Sequence, residues 1–262
     1  MSLPALPEDL HLSRDGAVAI LEIRRPPHNH LDHAVVSAIA DAIEAIDADP
    51  ALRATVLCAS GTAFCAGADF SGATAIPPGD HGQPVNPIYR HGLRLFGCAK
   101  PIVAAVHGAA VGGGLGLALA ADFRVTCEQA RFSANFARLG MHPGFGISVT
   151  LPRVVGMQQA SLMLLTGRRI GGAQAHAIGL ADLLVPRERV RDEAIAFARE
   201  LAANAPLAVE SIRRTQRAGL LEQLREAVRH ETAEQTRLAA TADFAEGVAA
   251  MTARREPRFE RR

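Results

Sequence analysis

Two short segments carry residue types able to stabilise a developing negative charge without any charged side chain. Phe64–Asp69 reads FCAGAD and Gly108–Gly116 reads GAAVGGGLG. Each places small residues where an apolar strand hands over to a turn or helix, so backbone N–H groups there can face a ligand. Two such turns sharing one carbonyl oxygen make an oxyanion hole, where loss of one donor typically costs about 2.7–4 kcal/mol at the transition state. The rival reading of the glycines is a dinucleotide fingerprint, G-x-G-x-x-G after a strand. Started at Gly112 or at Gly114, the third glycine position falls on Leu117 or Leu119, so the pattern fails in both registers.

Other residues with chemical capacity are scattered. His142, in GMHPGFG, is an acid/base candidate by residue type, against a structural histidine bonded beside Pro143. Tyr89 and His91 follow a Gly/Pro-rich stretch, Ser71–Pro87, that reads either as a lid or as a surface excursion. His28, His30 and His33 straddle a Pro-rich turn and lack a carboxylate pattern beyond Asp32, so no metal site is expected. The four cysteines fit neither a metal pattern nor a disulfide framework, and Cys65 reads as a buried thiol.

The elements that must position these groups alternate between strand and helix. Strands are expected at Gly16–Ile23, Ala54–Cys58, Pro101–Val106 and Phe123–Cys127, with helices at Ala34–Ala48, Ile88–Cys98 and Leu115–Ala121. Asp32 is placed to cap the first helix. From Gln158 onward the pattern is mostly helical, through Val190–Asn204, Leu207–Gly219, Leu221–Ala240 and Asp243–Thr252. The chain of 262 residues is long enough for one α/β domain with a small appendage. Its net charge of +1 gives no global pull toward nucleic acid or membrane, though Arg254–Arg262 is either a local basic patch for phosphates or a solvated tail. The N-terminus lacks a secretory pattern, no stretch reaches membrane-spanning length, and a cytoplasmic location is expected.

Taken together, RPPHN (Arg25–Asn29), FCAGAD, KPIVAAVHGAAVGGG (Lys100–Gly114), AADFRV (Ala120–Val125), LGMHPGFG (Leu139–Gly146), LLTGRRI (Leu164–Ile170) and AHAIGLADLLVP (Ala175–Pro186) resemble the crotonase, or enoyl-CoA hydratase/isomerase, family in order and spacing. The resemblance runs from about Val18 to about Phe259. It implies an α/β fold, a crotonase-like spiral of β-β-α units (1–195) followed by a helical C-terminal region (196–262) used in assembly as a homotrimer or a dimer of trimers. It implies an acyl-CoA substrate, no permanently bound cofactor beyond the coenzyme A carried by that substrate, and no metal. The implied oxyanion donors are the amides of Ala68 and Gly113. The implied CoA-lining residues are Ala66, Asp69, Phe70 and Ser71, with Asn29 and His30 on the early turn.

The family's hydratases hold and activate water with two glutamates, and those positions fall on Gly116 and Phe136. The later acidic position of its isomerases falls near Gly144. None of the three can transfer a proton, and a placed acid or base contributes roughly 10²–10⁴ in rate. Two functions therefore stay open: a hydratase/isomerase-like enzyme with an atypical site, and a protein that binds an acyl-CoA or its acyl-pantetheine part without turnover. An aromatic ring at Phe136 suits a dry acyl pocket in either case.

Overall fold

Strands that read as unbroken apolar runs must be covered on both faces, and helices cover them here. The computed structural model of the chain describes residues 6–68 and 85–262. Its first strands, β1 (Leu10–Asp15) and β2 (Val18–Ile23), pair antiparallel. Helix α1 (His33–Ala48) then crosses to β3 (Ala54–Ala59), parallel to β2. The Asp32 carboxylate accepts the Val35 N–H at 2.9 Å, the N-cap expected from the sequence.

After β3 the chain repeats one pattern. A strand enters a large sheet, a second short strand enters a small sheet, and a helix follows. β3 is followed by a bridge at Cys65 and then by α2 (Pro87–Phe96). β4 (Ile102–Val106) leads to β5 (Ala109–Val111) and α3 (Gly113–Ala120). β6 (Phe123–Thr126) leads to β7 (Arg131–Ser133), a 3₁₀ turn at Asn135–Leu139, and α4 (Ile147–Thr166). Next come β8 (Arg169–Gly171), α5 (Gly172–Ala177) and β9 (Leu183–Leu184). The large sheet runs β1-β2-β3-β4-β6-β9 and the small one β5-β7-β8. This is the spiral of β-β-α units that the sequence predicts.

Helices α6 (Val190–Ala202), α7 (Pro206–Gln216), α8 (Leu220–Ala239) and α9 (Ala242–Thr252) make up the last part of the chain. No described helix is long and apolar enough to cross a membrane.

Three features differ from the sequence reading. β1 is an edge strand, partly exposed and with four polar residues in six, so its period carries little apolar signal. α4 begins at Ile147 rather than near Gln158, because Pro152 and a non-helical Gly156 (φ +77°) interrupt its first half. The Arg254–Arg262 segment is partly tied down: Arg255 is paired with Glu246 and Arg262 with Glu260, while the Arg258 N–H donates to Glu246 at 2.7 Å.

Candidate functional site

The two glycine turns meet along a backbone seam. The Cys65 N–H donates to Ala109 O at 2.8 Å, and the Val111 N–H donates to Cys65 O at 3.1 Å. On the other side, the Leu31 N–H donates to Gly67 O at 2.9 Å. Gly67 has φ +85°, and a Cβ there would lie 2.6 Å from Val111 O and 3.4 Å from Gly113 N. Only glycine fits that conformation at that distance. The seam brings Ala68 and Gly113 to the same cavity, of about 550 Å³. Neither backbone N–H has an acceptor among the described residues.

Gly113 is the first residue of α3, so its N–H lies at the positive end of a helix. Cations sit at the other end. Arg124 donates to Ala121 O at 3.0 Å, and Arg217 donates to Ala120 O at 3.3 Å. A negative charge beside Gly113 is favoured by the first turn of α3.

The walls are apolar or aromatic. On the small sheet, Ala110, Phe132 and Ile170 face the core, while Ala109, Val111, Arg131 and Arg169 face the cavity. Phe136 and Leu139 come from the 3₁₀ turn, Ile88 and Tyr89 from α2, and Met251 from α9. Phe145 completes the floor. It is 1% exposed, has φ +62°, and packs edge-on against Tyr89 with ring centroids 6.2 Å apart.

Phe145 also crowds Gly116, one of the two positions expected from the resemblance to match the hydratase glutamates. A Cβ on Gly116 would lie 2.7 Å from Phe145 Cβ, and one on Gly92 would lie 2.8 Å from Phe145 Cζ. The ring is wedged between α2 and α3, over the space a first glutamate would need. A Cβ on Gly144 would lie 2.0 Å from the Tyr89 hydroxyl oxygen. Phe136 lines the cavity, whereas Gly116 does not. No aspartate or glutamate lines it among the described residues.

The wedge is held from α8. The buried Glu231 carboxylate accepts from Gly146 N at 2.8 Å, from Ser148 N at 3.2 Å and from the Ser148 hydroxyl. Burial pushes its pKa up, and those three donors oppose the rise. Gln235 accepts from the Tyr89 hydroxyl at 2.7 Å and donates to His142 O at 2.9 Å. Thr232 accepts the Asn86 N–H at 3.2 Å.

Of the remaining residues singled out from sequence, Ala66 and His30 line the cavity. The Ala66 N–H is already donated to His28 O, and His30 Nδ1 lies 3.1 Å from Gly67 O. Asn29 is fully buried and lines no part of the site. Its amide donates to Ser60 O and Ala63 O, each at 2.7 Å, and its oxygen accepts from Arg25 N, so it braces the early turn instead. His142 faces α8, with Nδ1 2.9 Å from Pro143 O and its ring edge-on to His230, and it does not line the cavity.

Asp69, Phe70, Ser71 and the expected lid up to residue 84 lie outside the described residues. His33 pairs with His91 (Nε2 to Nε2, 3.1 Å), and no group of three metal-ligating side chains occurs among the described residues. Burial pushes the Cys65 thiol up to about 12, so it is no nucleophile at neutral pH. Sequence reasoning missed Phe145, Arg131 and Arg169. The strand alternation around Phe132 and Ile170 is the signal that placed both arginines on the cavity side.

Tyr89 is the one tyrosine of a chain without tryptophan, so it reports on itself. Burial raises its pKa, the nearby Glu231 charge adds to the rise, and the Gln235 hydrogen bond offsets only part of it. The free hydroxyl has a pKa near ~10. As pH rises above that value the unfolded chain loses a proton that the native state keeps, so this contribution to stability is complete below ~10 and fades through the folded pKa. Ultraviolet difference titration should show no tyrosinate band in the folded protein at about pH 11, the band arriving only with unfolding. A folded protein ionising near ~10 would contradict this placement.

With this geometry in place, comparison with known proteins is direct. The sequence pattern of the family described as enoyl-CoA hydratase/isomerase matches residues 13–262. Enoyl-CoA hydratase EchA19 of Mycobacterium tuberculosis is 33% identical over 261 residues, covering 97% of each chain. A putative enoyl-CoA hydratase of Thermus thermophilus is 35% identical, covering 93% of this chain and 98% of its own. The crystal structure of an enoyl-CoA hydratase/isomerase from Pseudoalteromonas atlantica superposes with a TM-score of 0.85 at 30% identity, covering 97% of this chain and 100% of that one. The chain belongs to the enoyl-CoA hydratase/isomerase family and has its crotonase-like fold.

Proposed function

We propose that this chain binds an acyl-CoA thioester with its carbonyl oxygen between the amides of Ala68 and Gly113, and stabilises the enolate or oxyanion that forms there. The observation that carries the reading is the pair of residues, Ala68 and Gly113, that line one cavity across the Gly67–Gly113 seam and whose N–H groups have no acceptor among the described residues. A second cavity, of about 820 Å³, shares His28, His30, Leu31, Ala68, Asn86 and Ile88 with the first and continues past Arg24, Arg25 and Pro26. It gives the polar end of coenzyme A a way out over Ala68. Gly113→Pro removes one donor at a helix position that tolerates proline. Affinity for a thioester oxyanion mimic should fall by about 2.7–4 kcal/mol, with circular dichroism unchanged. An unaltered affinity in that folded variant rejects the assignment.

The chemistry differs from that of a water-adding relative, because the described lining holds no carboxylate to grip a water. Catalysis, where it occurs, rests on the amides and on groups other than the glutamate pair. The Phe145 wedge favours one rival reading, a protein that holds an acyl-CoA without turnover. Incubation with a panel of enoyl-CoA and 3-hydroxyacyl-CoA esters, following product and binding together, separates the two.

In either case the native protein should hydrate crotonyl-CoA at a rate lower by at least ~10²-fold than a hydratase with both glutamates. Gly116→Glu alone should destabilise by about 1–3 kcal/mol, because the new side chain overpacks Phe145. Hydration should rise only when Gly116→Glu and Phe136→Glu are joined by Phe145→Gly, which removes the Cβ that a side chain at 116 would meet at 2.7 Å and suits the positive φ there. Brisk crotonyl-CoA hydration by the native protein would sink this account.

Assembly as a homotrimer or a dimer of trimers is also proposed. Leu220, Leu224 and Val228 are buried within the chain, but Leu207 and Ile212 on α7 are 78% and 59% exposed. Unpartnered apolar side chains of that size on one helix support a subunit contact. Light scattering should give a trimer or hexamer at micromolar concentration, and a monomer would reject it.

A further inference from the structure

The small sheet turns two small apolar residues and two guanidinium groups toward the same cavity. Arg131 lies opposite Gly171, and Ser133 opposite Arg169, in the antiparallel β7–β8 pair. The two arginines are thus diagonal neighbours on one face of a two-stranded ribbon. Gly171 has no side chain to block them, and a Cβ there would lie 3.9 Å from Arg131 Nη1.

Neither guanidinium has a carboxylate partner among the described residues. Arg131 Nη1 donates only to backbone carbonyls, Glu128 O at 3.1 Å and Ala130 O at 2.8 Å. The Arg169 side chain has no hydrogen-bond or ion-pair partner among the described residues, its main chain being paired with β7. Arg131 and Arg169 are both exposed at the edge of the cavity that faces the Ala68 and Gly113 amides, and no described residue lining it is acidic.

Their side of the cavity matters. The residues shared with the second cavity mark the mouth toward Arg24 and Arg25, and Arg131 and Arg169 are not among them. They stand instead with Asn135, Phe136, Leu139 and Met251. In register, Arg131 pairs with Ala109, two residues before Val111, so it lies roughly 7 Å back along β5. Arg169 lies on the second strand across, roughly 10 Å away. An anion held there is separated from the thioester carbonyl by several carbon atoms.

We propose that Arg131 and Arg169 receive a carboxylate at the far end of the acyl group, so that the preferred ligands are CoA monothioesters of dicarboxylic acids. The inference rests on the thioester-binding reading above. Planar guanidiniums suit a carboxylate, which can accept two N–H bonds from each fork. The apolar wall of Phe136, Leu139 and Met251 takes the methylene chain between the two ends.

The test is calorimetric titration of the native protein with adipyl-CoA, hexanoyl-CoA and free coenzyme A at low ionic strength. Adipyl-CoA should bind about tenfold more tightly than hexanoyl-CoA, and the preference should shrink as salt is added. In Arg131→Gln/Arg169→Gln the ratio should fall to about one, with hexanoyl-CoA affinity unchanged. Arg131→Lys/Arg169→Lys should keep part of the preference.

Equal affinities in the native protein, or a preference that survives in the glutamine variant, would overturn the proposal while leaving thioester binding intact. Weakening of hexanoyl-CoA and free coenzyme A by the same factor would overturn it too, by assigning the arginines to the coenzyme's phosphates. If no thioester binds, both this proposal and the reading beneath it fall.

Discussion

The carbonyl oxygen of Cys65 lies so close to Gly114 that a Cβ placed there would be only 2.0 Å from it. From this contact the rest of the site follows. With the first residues of α3 pressed against the Cys65–Ala68 segment, a helix start and a turn can offer their N–H groups to one point. A methyl group at Gly114 or Gly67 would push the two backbones apart, and preorganised donors lose their value once they no longer converge. The small sheet holds the seam from the other side, since β5 is bonded at once to Cys65 and to β7. The glycines of GAAVGGGLG are therefore a packing requirement before they are a chemical one.

What the fold does beside those amides is more unusual. A buried carboxylate exists near the site, but it belongs to Glu231, and its oxygens are taken up by the start of α4. Its role is to hold the turn at Phe145 and Gly146, where two successive residues have positive φ. The strained Phe145 backbone persists because its ring fills the gap between Gly92 and Gly116. A ring packed that closely leaves no room for a side chain at Gly92 or Gly116.

Much of this could be read from residue order. The strand and helix succession, the Asp32 cap and the position of the two turns all rest on local patterns, and local patterns survive folding. Phe136 was singled out because it falls in a landmark segment, and it does line the cavity. Phe145 was not, since its meaning depends on two glycines 53 and 29 residues away that only the tertiary structure brings beneath its ring. Asn29 misled for a related reason. A polar residue on a turn looks available to a ligand, yet its amide closes three backbone bonds inside the protein. His142 sits in the right segment, but the segment bends at Pro143 and Gly144 and turns the imidazole toward α8.

The bracing role of α8 bears on how the protein is made. Asn86 and Tyr89 each find a partner 146 residues later in the chain, and Gly146 finds Glu231 85 residues later. At ribosomal rates of ~5–20 residues per second, the wait between Tyr89 and Gln235 is roughly 7–30 s. Throughout that interval a nascent chain carries the aromatic floor of its own cavity without the helix that fixes it. Such late, long-range closures slow folding and leave apolar surface open to chaperones or to neighbouring chains. A message truncated before the codon for Gln235 would yield a product with both glycine turns intact in sequence and no settled pocket between them.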